Sequence, residues 1–133
     1  MSKYNNKKTR VHGMEFASAW EAERYKQLYL LGKSGYISNL RTQVPYELIP
    51  AQYEMIPTDE VYVKGAKKGQ QKYKKVCVEQ SVKYIADFVY TENGKEIVED
   101  TKSSATRKKE SYIIKRKLMR HLMGIAVKEV TKK

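Results

Sequence analysis

With 133 residues, the chain is the size of one domain, long enough to bury about two thirds of its unfolded surface around one core. Its 27 basic side chains against 15 acids leave a net charge of +12, which favours a polyanionic partner, nucleic acid above all. A single cysteine, Cys77, excludes an intrachain disulfide and fits a reducing, cytoplasmic compartment; with only His12 and His121 beside it, a zinc finger is excluded too. No apolar run approaches a membrane span, and the polar start Met1–Lys8 is not a secretory signal, so neither a membrane nor an export route is expected.

In chain order, residues 1–14 read as a basic N-terminal arm, and residues 15–133 as one domain. Ser18-x-x-Glu21 matches a capping box with apolar Phe16 just outside it, so a first helix is expected from Ser18. Trp20, Tyr25, Leu28 and Leu31 follow at helical spacing, and Gly32 and Gly35 are expected to end the helix. Leu40–Ile49 reads as a strand, with Pro45 implying an edge position or a bend, and Pro50 and Pro57 flank a loop. Residues 54–75 have a different texture. Lys64, Lys67, Lys68, Lys72, Lys74 and Lys75 surround Gly65 and Gly69, as in an inserted basic loop or hairpin.

Val76–Tyr90 returns to strand chemistry. Tyr84, Ala86, Phe88 and Tyr90 would share one face and Ile85, Asp87 and Val89 the other, as in a central strand covered on both sides. Asn93-Gly94 predicts a hairpin turn, with Glu96–Lys102 as the return strand. A second helix is expected over Lys108–Met123, with Ile114, Leu118 and Leu122 as its apolar stripe and Gly124 as its cap; Ile125–Val130 is the last strand. The predicted order is helix, three strands, helix, strand, in an α/β domain with a central mixed sheet flanked by helices.

Within this layout Asp87 and Asp100 fall on paired strands, where two carboxylates can share one metal ion. Magnesium prefers oxygen ligands, and manganese can stand in for it. Lys102 lies two residues beyond Asp100, so its ammonium projects from the same strand face, where it can orient a water or offset developing charge. The Thr101 carbonyl is a further candidate ligand. Glu21, brought in from the helix, can bind a second metal or hold a metal-bound water. It can also serve only as the capping partner of Ser18, and Glu23 is the neighbouring alternative. Glu99 is expected on the opposite face of its strand, paired with a lysine. Lys108, Lys109, Lys115, Arg116, Lys117 and Arg120 make the second helix basic, which suits phosphate contact and equally a solvated face.

These residues carry a resemblance. Asp87, then Asp100-x-Lys102, with Glu21 upstream, resembles the PD-(D/E)xK nuclease superfamily, whose core has the same helix, three strands, helix, strand order. Phe16-x-Ser18-x-x-Glu21-Ala22, Val82–Tyr90, Val98-Glu99-Asp100-x-Lys102 and Tyr112-x-x-Lys115-Arg116-Lys117-Leu118-Met119 are also similar to a family of short phage and prophage proteins. The resemblance implies a restriction-endonuclease-like core and a magnesium-dependent endodeoxyribonuclease acting in a bacterial host's cytoplasm. It implies catalytic positions at Glu21, Asp87, Asp100 and Lys102, with Lys115 at a place where many members put an auxiliary residue. Phage Holliday-junction resolvases in the superfamily further imply a homodimer acting on branched DNA. The rival expectation is a DNA-binding accessory protein that does not cut. Ala86 stands where the superfamily often has proline, and Asp100 where glutamate is commoner.

Overall fold

A computed structural model describes residues 8–103 and 107–131. Over these residues the chain forms β1 (Thr9–Val11), β2 (Met14–Phe16), α1 (Ala19–Lys33), β3 (Ser38–Ile49), β4 (Gln52–Val61), β5 (Gln71–Glu79), β6 (Val82–Glu92), β7 (Lys95–Lys102), α2 (Glu110–Met123) and β8 (Lys128–Thr131). A four-stranded sheet has the order β3–β6–β7–β8. It is mixed, because β6 and β7 run antiparallel while β7 and β8 run parallel. The parallel pair needs a crossover, and α2 supplies it. The sheet and its helices therefore follow the expected order of helix, three strands, helix, strand, and β3 with Pro45 lies at the sheet edge.

Two compact units divide the chain. The first holds the residues up to Tyr46 and from Tyr84 onward. Its core gathers Phe16, Ala22, Tyr25, Leu28, Ile37, Phe88 and Tyr90, with α1 supplying three of these. Burial of such aromatic and aliphatic groups is the main stabilising term. The second unit, Glu47–Lys83, is the antiparallel ribbon β4–β5, with Met55 opposite Lys75 and Ile56 opposite Lys74. Both of its strands present large apolar groups to solvent, including Tyr53, Met55 and Tyr73. Lysines lie over two rings of this unit: Lys75 Nζ lies 4.4 Å from the Tyr53 centroid, and Lys72 Nζ 5.4 Å from that of Tyr62.

Several expectations are corrected. Within the expected arm, Thr9–Val11 pairs with Met14–Phe16 as a hairpin; residues 1–7 lie outside the described residues. Helix α1 runs through Gly32 to Lys33, and Gly35, at φ +83°, makes the turn that follows. Pro57 lies within β4, so the insertion is a ribbon wider than residues 54–75. Val76–Tyr90 is not one strand, because Gln80 and Ser81 separate β5 from β6. Tyr84, Ala86, Phe88 and Tyr90 are all buried, but Ile85 is 52% exposed, so β6 is not covered on both sides along its whole length. On α2 the buried side is Tyr112 and Met119; Ile114 and Leu122 of the expected stripe are more than half or half exposed, at 56% and 50%. The last strand begins at Lys128 rather than Ile125.

Candidate active site

The turn between β6 and β7 places the two aspartates. Asn93 and Gly94 both have positive φ, +51° and +77°, the conformation that a tight hairpin with the native strand twist requires. From there the pairing runs regularly to Phe88 opposite Glu99. Beyond that pair, side chains take over from the ladder. The Thr101 N–H donates to Asp87 Oδ2 at 2.9 Å and the Thr101 hydroxyl to the same oxygen at 2.7 Å. Thr101, expected to offer its carbonyl, fixes the Asp87 carboxylate through its N–H and hydroxyl.

Glu21 reaches this place from the first turn of α1. Ser18 adopts an extended conformation and its Oγ accepts the Glu21 N–H at 3.1 Å, which starts the helix. The Glu21 carboxylate accepts the Ala17 N–H at 3.1 Å and the Gln43 side-chain amide at 2.9 Å. Gln43 sits at φ +51° within β3, a backbone conformation uncommon for a residue other than glycine. Glu21 is 5% exposed, whereas Glu23 is exposed; Glu21 meets the Ser18 cap through its backbone N–H and brings its carboxylate to Asp87.

The three acids perturb one another. Burial pushes the Glu21 carboxyl up to about 7, and the charge and hydrogen bonding of Asp87 add to this. Burial likewise pushes Asp100 up to about 7, again helped by Asp87. Burial opposes ionisation of Asp87 as well, but hydrogen bonds from Asp100, Glu21 and Thr101 outweigh it and hold that carboxyl below its ordinary value. Asp87, held low, thus lies between two carboxyls held high. Among the described residues no three His, Cys, Asp or Glu side chains form a ready-made metal cage. The carboxyls are instead close enough to hydrogen-bond one another, an arrangement that a cation would have to open.

Asp100, 1% exposed, is held on one oxygen only. Oδ2 accepts the Tyr84 hydroxyl at 2.6 Å and lies 3.1 Å from Lys102 Nζ. Oδ1 is buried and receives no hydrogen bond from an N–H or hydroxyl group. A buried carboxylate oxygen without such a donor is costly, and this one lies next to a second acid, Asp87; oxygen donors of this kind are the type that a hard cation takes. Lys102 is also 4.6 Å from the centre of the Tyr112 ring, which shelves its ammonium next to Asp100. The structure therefore brings Glu21, Asp87, Thr101, Asp100 and Lys102 together.

It places the basic residues of α2 less uniformly. Arg116 pairs with Glu129 at 3.3 Å, and Lys115 is half-buried. Arg120 is exposed, and Lys108 and Lys109 are exposed ahead of the helix. Glu99 does lie apart from Asp100, but its partner is Arg24 rather than a lysine. Sequence reasoning missed Tyr84 as the partner of Asp100. It also missed Glu129, which is directly opposite Asp100 in the parallel β7–β8 register. The position of Glu129 depends on that register alone, so no local pattern signals it. Tyr84 lies three residues before Asp87 in the same strand, and a hydroxyl-bearing residue there was the available clue.

One protein family, described as a protein of unknown function, DUF1064, matches residues 1–132. The chain belongs to the DUF1064 family. No curated protein and no solved structure matches it. Among the described residues, no helix of this DUF1064 protein is long and apolar enough to cross a membrane.

Proposed function

We propose that the protein is a metal-dependent endodeoxyribonuclease with a PD-(D/E)xK-type, restriction-endonuclease-like core, of phage or prophage origin. The carrying observation is the half-satisfied Asp100: one oxygen bound by Tyr84 and Lys102, the other bare beside Asp87. Glu21, Asp87 and Asp100 would hold magnesium, or manganese in its place, with the Thr101 carbonyl as a further ligand. The ion would supply Lewis-acid charge at phosphorus and a more acidic water. Lys102 holds a positive charge beside Asp100, where it can steady an anionic phosphate oxygen. Gln43 and Ala17 orient Glu21, and Thr101 orients Asp87.

Net charge of +12 supports DNA as the polyanion, with Lys108, Lys109, Lys115, Arg116 and Arg120 as phosphate contacts. Structure-selective cleavage of branched duplex by a homodimer is the form we favour, since two symmetric cuts need two sites. The test compares a four-way junction, a flap and linear duplex, each in magnesium and in EDTA, with the mass measured by sedimentation. Magnesium-dependent cleavage that prefers the junction, by a dimer, is expected. Equal rates on linear duplex by a monomer would remove the resolvase form and leave the nuclease. That no three acids among the described residues form a ready-made cage favours a second reading, a DNA-binding accessory protein. Binding without cleavage in either metal would establish it.

A further inference from the structure

A cavity of about 320 Å³ lies between α2 and β8, lined by Arg116, Lys117, Arg120, Ala126, Val127 and Glu129. It is distinct in composition from the acid cluster: three cations face one carboxylate. Arg116 is steered by Glu129 at 3.3 Å, and Glu129 stands opposite Asp100 in the sheet. Lys117 and Arg120 have no ion-pair partner among the described residues, so two cations line the concavity without an internal counter-ion. Ala126 and Val127 add an apolar wall. Volumes from about 300 Å³ upward suit small organic ligands, well above what a bare anion fills.

The placement along α2 adds direction. Tyr112, Arg116 and Arg120 are four residues apart and so lie along one helix face. Tyr112 shelves Lys102 at the acid cluster. Arg116 and Arg120 follow one and two turns on, about 6 and 12 Å along the axis. A strand with one phosphate at the acids would run its neighbouring nucleotides toward the cavity.

We propose that this cavity is a nucleotide-phosphate pocket of a bound nucleic-acid strand, with Lys117 and Arg120 as its free cations, Arg116 as the cation oriented by Glu129, and Ala126 and Val127 against the sugar or base. The pocket rests on the nucleic-acid part of the reading above and not on cleavage.

The probe is a fluorescent hexathymidylate, with and without a 5′-phosphate, titrated into the full chain in EDTA at several salt concentrations. The double variant Lys117→Gln/Arg120→Gln should bind at least about tenfold more weakly. Its salt slope should fall by about 1.4, from roughly 0.7 per phosphate contact on a single strand. Ala126→Glu, which puts a carboxylate at the cavity wall without removing a cation, should weaken binding as well. Lys26→Gln/Lys33→Gln, which removes the same charge from α1, should weaken it less than threefold, by loss of long-range attraction alone. Thermal unfolding checks that every variant folds. Tighter binding of the phosphorylated probe assigns a terminal phosphate to the pocket, and equal binding an internal one. Normal binding by both cavity variants, an equal loss in the α1 variant, or no binding by the parent chain would overturn the pocket. Cleavage in magnesium is scored separately, so a chain that binds through the pocket but never cuts would sink the nuclease and keep the pocket.

Discussion

Glu99 and Asp100 are neighbours on β7, both essentially inaccessible, and their surroundings are opposites. Glu99 receives Arg24 Nε at 2.7 Å, Arg24 Nη2 at 2.8 Å and the Tyr90 hydroxyl at 2.7 Å. Arg24 is in turn held more basic than usual, chiefly by its hydrogen bonds to Glu99. Asp100 has two donors on one oxygen, none on the other, and Asp87 alongside. A strand sends successive side chains to opposite faces, so one step along β7 separates a completed ion pair from an incomplete one. The first is what a fold does with a buried acid; the second is the arrangement that the proposed nuclease reading assigns to a metal-binding acid.

The largest expected effect tests the completed side. Arg24→Ala leaves Glu99 buried and uncompensated, which should cost about 3–5 kcal/mol of stability, read from urea unfolding. Asp100→Asn takes one acid from beside Asp87 but also the partner of Lys102, so in EDTA it should cost less than Arg24→Ala. If the two variants unfold at the same denaturant concentration, the contrast between the acids is wrong.

Activity should show the reverse order. Asp100→Asn, Asp87→Asn and Lys102→Ala should each lower magnesium-dependent cleavage by on the order of 10²–10³-fold, the scale of losing one preorganised electrostatic group. Glu99→Gln should retain the rate of whatever fraction stays folded. Full cleavage by Asp100→Asn would remove the active site from this cluster.

The third comparison uses pH. Glu21 and Asp100 have folded-state values raised to about 7. A raised carboxyl stabilises the folded chain below its ordinary value, about 4, and that stability is lost as pH rises through the folded value. Without divalent cations the melting temperature should therefore fall between about pH 4 and 7 by the share these two groups contribute. Asp87, held low, contributes in the opposite sense, losing stability only below its ordinary value. Magnesium or manganese competes with the protons, so its stabilisation should grow up to and past pH 7. Identical melting profiles in EDTA and in manganese would argue that no cation enters.

Part of this contrast is legible in the sequence. Glu21 could be found because Ser18-x-x-Glu21 is a local signal, and Asn93-Gly94 set the hairpin that aligns Asp87 with Asp100. The identity of the Glu99 partner was not legible, since Arg24 lies 75 positions away and only packing of α1 delivers it. The same holds for Glu129, placed by a crossover through α2. The apolar stripe of α2 misled because periodicity gives a face and not its direction: Tyr112 and Met119 took the interior, and Ile114 and Leu122 stayed outside. Strand β6 was overrun because the polar pair Gln80-Ser81 is a weak break beside the β-branched residues around it.

The smallest effect is the sharpest, because it compares two tyrosines in one strand. Tyr84 donates to Asp100 at 2.6 Å and Tyr90 to Glu99 at 2.7 Å; burial first, and then these acids, make both phenols harder to ionise. Each removal takes one hydroxyl from a buried carboxylate. Tyr90→Phe withdraws one of three donors from a structural acid and should cost about 1–3 kcal/mol of stability, with the cleavage rate of the folded protein unchanged. Tyr84→Phe acts on an acid whose ionised form that hydroxyl favours. Asp100 should then ionise at higher pH, moving the acidic limb of the pH–rate profile upward. Looser aim of the carboxylate should lower the rate at neutral pH by about 10-fold, the scale seen when the group orienting a metal ligand is lost. Raising the magnesium concentration or the pH should restore part of that rate in Tyr84→Phe. A pH–rate profile unmoved by Tyr84→Phe, or moved equally by Tyr90→Phe, would show that the two sides of β7 do not differ in function.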